Sequence, residues 1–404
     1  MSKLKTFLIF NLSIILGLYF VELILSINIV DKFINSNNKT IRYCENTSNC
    51  DYRSSLDIYY ESKKKGDPIY PNFTPVYRLQ SKNFNDYKTS AGDEIFPLSK
   101  VSKQKTSMCN ENGEWVIFKT DQYGLNNDYN DYKNSDIFIL GDSYVEGHCS
   151  FPENNIAGQL KNISNLKIIN LGLAGSGPLM MLASAREYAL KFNPKILIWY
   201  HFHNDIINLE RYEKNSKTLM RYLSDEKFDQ KLIERQNEID EVVTKFVYEK
   251  VRDKIFTEYF SLRTFFKLWY TRTFIKKTGL KTQGLKTKNN IPNINDFSTY
   301  EKILSQIQSL TQKKNIDFYF IFLPDITGVF PNKYQHYEKI DSRNDVIKIA
   351  KNYFGENTLD LTDMLIKNFK NPKDLFIGGL RGNHYTDEGY RFVAEKTLKL
   401  INNN

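Results

Sequence analysis

Three short apolar runs, SDIFILG at residues 135–141, KIINLG at 167–172 and KILIWYH at 195–201, follow one another at intervals long enough for crossover helices. Runs that are apolar on both faces belong to strands buried on both sides, which is the environment of a parallel sheet covered by helices. IDFYFIFLP (316–324) supplies a fourth strand and NTLDL (357–361) a short fifth. The interval REYALKF (186–192) continues a helix, and YTDEGYRFVAEKTLKL reads as the closing helix. Thr386 is its N-cap, with Asp387 and Glu388 near the positive end of its dipole. The expectation is an α/β fold around a central parallel sheet.

The ends of those strands carry the residues able to do chemistry. GDSYVEG places Gly141, Asp142 and Ser143 directly after the first strand, at the sheet edge where α/β folds expose residues to ligands. Ser143 is the candidate nucleophile, and the amides of its turn can face an oxyanion. Asp142 is expected to support the turn. Gly175, in the N-x-G-x-x-G stretch 170–175, follows the second strand, where lack of a Cβ lets a backbone N–H enter the site. Asn204 in HFHND ends the third strand, and its amide adds a second donor to the same oxyanion. His384, just before the closing helix, is the candidate base for the Ser143 proton. Each residue alone reads as a turn, cap or surface residue; their order after successive strands is what points to catalysis.

From Thr6 to Ile27 the chain reads TFLIFNLSIILGLYFVELILSI, which as a helix is roughly 33 Å long and spans a hydrocarbon core. Lys3 and Lys5 precede it, so the N-terminus is expected in the cytoplasm and the remainder outside. The first alanine is Ala91, so no A-x-A cleavage site follows, and the tract reads as an uncleaved anchor. Glu22 within it reaches the outer interface or a partner helix, or is a tolerated peripheral charge. Export makes disulfides admissible. Cys109 and Cys149 are expected to bridge an approach strand to the loop after Ser143, and Cys44 and Cys50 either close a small polar loop or remain thiols.

Lys plus Arg number 56 and Asp plus Glu 47, giving a net charge of +9. Residues 250–290 contain eleven Lys or Arg against two acids, so the whole bias is local. Phe256, Tyr259, Phe260, Phe265, Phe266, Trp269, Tyr270 and Phe274 share that window. The mixture suits an ordinary helical cap, contact with a membrane surface or an anionic-glycan surface, and argues against nucleic acid. The expected organisation is 1–30 cytoplasmic tip and anchor, 31–114 stalk and lead-in, 115–209 and 298–404 the two parts of the catalytic domain, and 210–297 an inserted basic cap. The four cysteines form no CxxC pair. His201, His203 and Asp205 cluster at a strand end, where polar support around Asn204 is the expected role rather than a metal. His148 borders the serine turn, and His336 has no informative context. No metal or cofactor is expected.

GDS, then NLGLAG, then HND, then a histidine before the last helix resembles the SGNH, or GDSL, hydrolase family, over about residues 115–400 less most of 210–297. The segments FKTDQYGLNN, GSGPLMMLASAREY and IWYHFHNDIINLE resemble a membrane-anchored bacterial branch associated with surface polysaccharides. The resemblance implies a flavodoxin-like α/β/α sandwich and serine-based acyl transfer without cofactor, with oxyanion contacts from Ser143, Gly175 and Asn204. It departs at one place. The family's aspartate two or three residues before the histidine is replaced by Gly382 and Arg381. His384 is then oriented by a backbone carbonyl, or by an acid from elsewhere such as Asp360, Asp363 or Asp374, or activity is lost. The expected function is a bacterial inner-membrane, single-pass protein with a periplasmic esterase or O-acyltransferase domain for an acylated surface carbohydrate. It would act alongside polysaccharide-biosynthesis proteins. The alternative is a noncatalytic glycan-binding component of an assembly or export system.

Overall fold

The computed structural model describes residues 2–25, 50–51, 53–79, 87–111, 113–128, 131–258, 265–266, 268–277, 296–326, 342–377 and 384–403. The chain divides into two units, Met1–Tyr52 with Tyr248–Asn290, and Arg53–Val247 with Ile291–Asn404. In the first, helix α1 (Ser2–Leu25) contains a stretch, Lys5–Leu25, long and apolar enough to cross a membrane. Cys44, His336 and the positions of Arg381 and Gly382 lie outside the described residues.

The second unit opens with a helix, Ser55–Lys64, and holds a small sheet of β1 (Ile69–Pro71), β2 (Lys105–Cys109) and β3 (Val116–Lys119), in the order β1-β2-β3. The β2–β3 register shifts between Ser107 and Cys109, where β2 ends. The proline-rich lead-in also holds a four-residue helix, Val76–Leu79. It starts directly after Pro75, whose missing N–H costs nothing at a helix start.

The central sheet follows. Strand β4 (Ile137–Leu140) leads into the one-turn helix α2 (Ser143–Glu146) and then α3 (Ile156–Ile163). Strand β5 (Ile168–Asn170) leads into α4 (Pro178–Ser184), which runs on through a π-helical turn, Ala185–Ala189, to Phe192. Strand β6 (Ile196–His201) leads into α5 (Asp205–Arg211). Helix α6 (Gln236–Glu258) crosses from this unit to the first, which also holds α7 (Trp269–Lys277). Helix α8 (Ser298–Lys313) returns to β7 (Asp317–Phe322), then α9 (Arg343–Phe354), β8 (Thr358–Asp360) and the closing α10 (Asp387–Asn402). All pairings are parallel, in the order β8-β7-β6-β4-β5. Counted along the chain this is 2-1-3-4-5, the flavodoxin-like order.

Strand alternation assigns the two faces. Ile137, Ile139, Ile198, Tyr200, Tyr319 and Ile321 point into one buried layer with Ile156 and Leu160 of α3 and Tyr390 and Val393 of α10. The alternate residues of these strands point the other way, where Phe138 stacks on Phe192 and Phe320 on Phe354 of α9. Helices therefore cover both faces, which is why these strands read as unbroken apolar runs. Thr386 caps α10 by accepting the Gly389 N–H, as its place in the sequence indicated.

Candidate active site

In a sheet of this order, the chain reverses direction between β4 and β6, and ligands bind outside the carboxyl ends of the strands at that switch. Ser143 follows β4 at this point, with Asn204 after β6 on one side and Gly175 after β5 on the other. The turn that presents Ser143 is fixed by Asp142, whose Oδ1 accepts the Tyr144 N–H at 2.9 Å. Burial pushes the Asp142 carboxyl up to about 6, against the pull of the Tyr144 N–H and of His384.

The loop 170–177 is held from both flanks. Asn170 Nδ2 donates to the Val145 carbonyl and its Oδ1 accepts the Gly172 N–H, so one side chain ties the loop to the serine helix. Glu146, one turn beyond Ser143, accepts the Ala174 N–H at 2.7 Å and pairs with Lys100 at 2.7 Å, both side chains being buried. Removing one partner of such a pair costs about 3–5 kcal/mol, because the other charge stays buried. On the far flank the buried Glu213 carboxylate accepts the N–H groups of Gly177, Leu179 and Met180 at the start of α4. Burial pushes Glu213 up to about 7, against those three donors.

Gly175 itself has φ +75°, and a Cβ there would lie 2.5 Å from Val76 Cγ1, so both conformation and space demand glycine. Its carbonyl accepts from Asn208 Nδ2 at 3.2 Å. Asn208 lies one helical turn after Asn204, so this bond draws the Gly175 loop to the helix that begins with the second candidate donor. The sequence motif thus has a mechanical basis: Asn170, Gly172 and Gly175 shape a loop whose amides are anchored by buried acids.

His384 Nε2 lies 3.0 Å from Ser143 Oγ. Its other ring nitrogen, Nδ1, lies 3.0 Å from Glu111 Oε1. The carboxylate beside the histidine is therefore none of Asp360, Asp363 and Asp374. Asp360 and Asp363 bind Arg343 instead, at 2.6 and 3.1 Å, and Asp374 is exposed. The His384 backbone is fixed by its carbonyl, which accepts the Ile377 N–H at 2.9 Å. The ring packs 5.0 Å from that of Tyr144 and 4.5 Å from that of His148. Burial, and then the nearby His384, hold His148 down to about 4, so it stays neutral near pH 7 and adds no charge against an imidazolium at His384.

Glu111 comes from the segment just past β2, 273 residues before the histidine. The tie that brings it here is the Cys109–Cys149 disulfide, which joins the end of β2 to the loop after Ser143. Met108, Phe118 and Ile377 pack around the two sulfurs. Sequence reasoning placed the bridge but overlooked the acid two residues beyond Cys109. The available signal was the bridge itself, since any carboxylate near Cys109 travels with it to the serine loop. The loop is held further by Ser150 and Asn154, which donate to Asp387 at the start of α10 at 2.6 and 2.9 Å.

Cutting this tether is expected to act on both stability and chemistry. For the double variant C109S/C149S, opening a link that spans 40 residues lowers stability by about 4 kcal/mol. Any turnover that depends on His384 should also fall in the still-folded protein, because Glu111 loses its anchor. Denaturant melts and turnover measured with and without reductant check this; unchanged turnover in the reduced, folded protein would mean that the strand holds Glu111 unaided.

The remaining histidines support the fold of the site. His201 is fully buried, 3.3 Å from Asp205 and 3.4 Å from the Tyr300 hydroxyl, and burial holds it down to about 3. Asp205 also accepts the Phe202 N–H, locking the bend from which Asn204 emerges. Burial lifts the Asp205 carboxyl far above the usual carboxylate range. His203 lies 3.5 Å from Asp325 at the same sheet edge. Among the described residues, the one set of ligand-type side chains close enough for an ion is Cys109, Glu111 and Cys149, whose two sulfurs are already bonded to each other.

No protein-family model and no curated protein sequence matches the chain. Among solved structures it is similar to an acetyl xylan esterase, with 15% identity over 65% of this chain and 98% of that one, at a TM-score of 0.36. It is also similar to a G-D-S-L-family lipolytic protein from Desulfitobacterium hafniense DCB-2, with 12% identity over 66% of this chain and 99% of that one, at a TM-score of 0.30. At these scores the functional reading rests on the geometry of the chain itself.

Proposed function

We propose that this protein is a membrane-anchored serine esterase or O-acyltransferase whose substrate is an acylated surface carbohydrate. The observation that carries the reading is the continuous relay Glu111–His384–Ser143, with 3.0 Å at each step. In it His384 takes the Ser143 proton on Nε2 as Oγ attacks the ester carbonyl, while Nδ1–H donates to the Glu111 carboxylate. The carbonyl oxygen becomes an oxyanion against the Ser143 and Gly175 amides and the Asn204 side chain. His384 then returns the proton to the departing sugar oxygen. This leaves an acyl group on Ser143, which water or a second sugar hydroxyl removes by the same steps in reverse.

The carbohydrate assignment rests on the resemblance of FKTDQYGLNN, GSGPLMMLASAREY and IWYHFHNDIINLE to a branch associated with surface polysaccharides. The anchor and periplasmic placement rest on α1 and on Lys3 and Lys5 before it. Arg381 stands where the resemblance places an acid, and the Glu111 carboxylate at His384 Nδ1 supplies one from elsewhere, which supports the catalytic reading over a purely glycan-binding one.

The oxyanion assignment has its own test. Asn204→Ala should lower kcat on an acetylated oligosaccharide by about 10²–10³-fold, equivalent to about 3–4 kcal/mol of transition-state stabilisation, with KM little changed. A loss confined to KM would make Asn204 a substrate-binding residue and leave the oxyanion to other donors.

A further inference from the structure

The carboxylate of Glu22 lies within the apolar helix α1, yet it is fully buried and bonded. Its Oε1 accepts the Tyr270 N–H at 2.8 Å and its Oε2 the Thr271 N–H at 2.7 Å. These are amides of the first turn of α7, so the acid satisfies donors that have no intrahelical partner and meets the positive end of the helix dipole. One turn earlier, the Tyr19 ring stacks on Phe265 at 5.4 Å and its hydroxyl donates to the Phe266 carbonyl at 3.2 Å. One turn later, Leu25 packs with Tyr270 and Phe274. Positions 19, 22 and 25 share one helix face, so α7 and the residues just before it are fastened along the last two turns of α1. The apolar residues Phe7, Ile9, Phe10 and Leu16 farther down α1 stay exposed.

Glu22 stands 17 residues beyond Lys5, a rise of roughly 26 Å, which is near the far edge of a hydrocarbon core roughly 30 Å thick. Whatever Glu22 holds therefore sits at the outer membrane–water boundary. The held helix reads WYTRTFIKK: two aromatics of the type that settle at headgroup level, then Arg272, Lys276 and Lys277, with no acid. From Tyr259 to Asn295 the sequence has eight Lys or Arg and no Asp or Glu.

We propose that α7 is an interfacial helix, clamped by Glu22 to the outer end of the membrane span, and that its cations take the phosphates of anionic lipids. The inference rests on reading α1 as a membrane span. It assigns Glu22 a purpose: an acid placed in the span holds the first turn of a basic helix at headgroup depth, where its carboxylate meets the positive end of the helix dipole.

The test uses the full chain in nanodiscs of phosphatidylcholine alone or mixed with phosphatidylglycerol, with hydrogen exchange read on the 269–277 peptide. Each cation near an anionic surface is worth about fivefold in association. Exchange should slow by about fivefold or more in the anionic discs. The difference should vanish at high salt and in R272Q/K276Q/K277Q, while peptides of the central sheet exchange alike in both lipids. Equal exchange in the two lipids, from chains that enter both discs, would overturn the lipid assignment and leave the span standing. Protection in phosphatidylcholine discs conferred by a soluble polyuronate, and not by anionic lipid, would overturn it in favour of a glycan. Failure of the wild-type chain to enter either disc would overturn the span and this inference together.

Discussion

Ser143→Ala should abolish ester turnover, a loss of about 10⁶-fold, while leaving the fold and the affinity for carbohydrate in place. The size follows from the arrangement at the end of β4. Ser143 Oγ lies 3.0 Å from His384 Nε2, and removing it takes away the hydroxyl that the base deprotonates. Asp142 and the amides of α2 stay put, because Asp142 bonds the Tyr144 N–H rather than the serine side chain. Residual rate over water would then come from the oxyanion donors and from substrate binding alone. Equilibrium binding of a deacylated oligosaccharide to wild type and variant, measured beside turnover, separates loss of chemistry from loss of structure. A variant that keeps even a hundredth of wild-type turnover would exclude Ser143 as nucleophile.

Glu111→Gln should cost about 10³–10⁴-fold in kcat, or about 4–5.5 kcal/mol of barrier. Glutamine fits the same space, but its amide can donate to Nδ1. That favours the tautomer with the proton on Nε2, where the ring cannot accept from Ser143. The loss of negative charge also withdraws support from the imidazolium. The cost should fall on kcat with KM little changed, a split that a merely structural defect would not produce. Glu111→Asp keeps the charge on a shorter stem and should recover part of the rate. A Gln variant with near-normal turnover would show that His384 works without a carboxylate at Nδ1. The corresponding amide substitutions, Asp360→Asn and Asp363→Asn, should leave turnover unchanged, because those carboxylates bind Arg343.

The residues that the sequence made legible are those whose position relative to a strand decides their role. Ile137–Leu140, Ile168–Asn170 and Ile196–His201 announce themselves by unbroken apolar runs, and a strand's end fixes where the next residue stands. Ser143, Gly175 and Asn204 could thus be placed at one sheet edge without knowing the order of the strands. Glu111 was not legible, because nothing local marks it. It lies past an irregular strand end, outside the strand–helix alternation, and reaches His384 through a covalent bridge. Asp360, Asp363 and Asp374, the candidate acids upstream of the histidine, satisfy a different cation or face solvent. Glu146, Lys100 and Glu213 escaped for a related reason. A buried acid that accepts backbone N–H groups looks, in sequence, like any surface charge. Glu22 was conspicuous as a charge in an apolar tract, but its partner is a pair of backbone amides, which carry no side-chain signature.

The central claim is that an acyl group passes through Ser143, and intact-protein mass spectrometry on rapidly quenched reactions measures it directly. Wild-type protein mixed with an acylated surface glycan, or with an activated acyl ester, should gain the mass of one acyl group. Peptide mapping should place it on Ser143, S143A should carry none, and an acceptor glycan should discharge it. The adduct mass identifies the acyl group, and an acylated acceptor distinguishes transfer from hydrolysis. No adduct and no turnover with the native acylated glycan, together with equal glycan binding by wild type and S143A, would contradict the account and leave a protein that binds carbohydrate without transforming it.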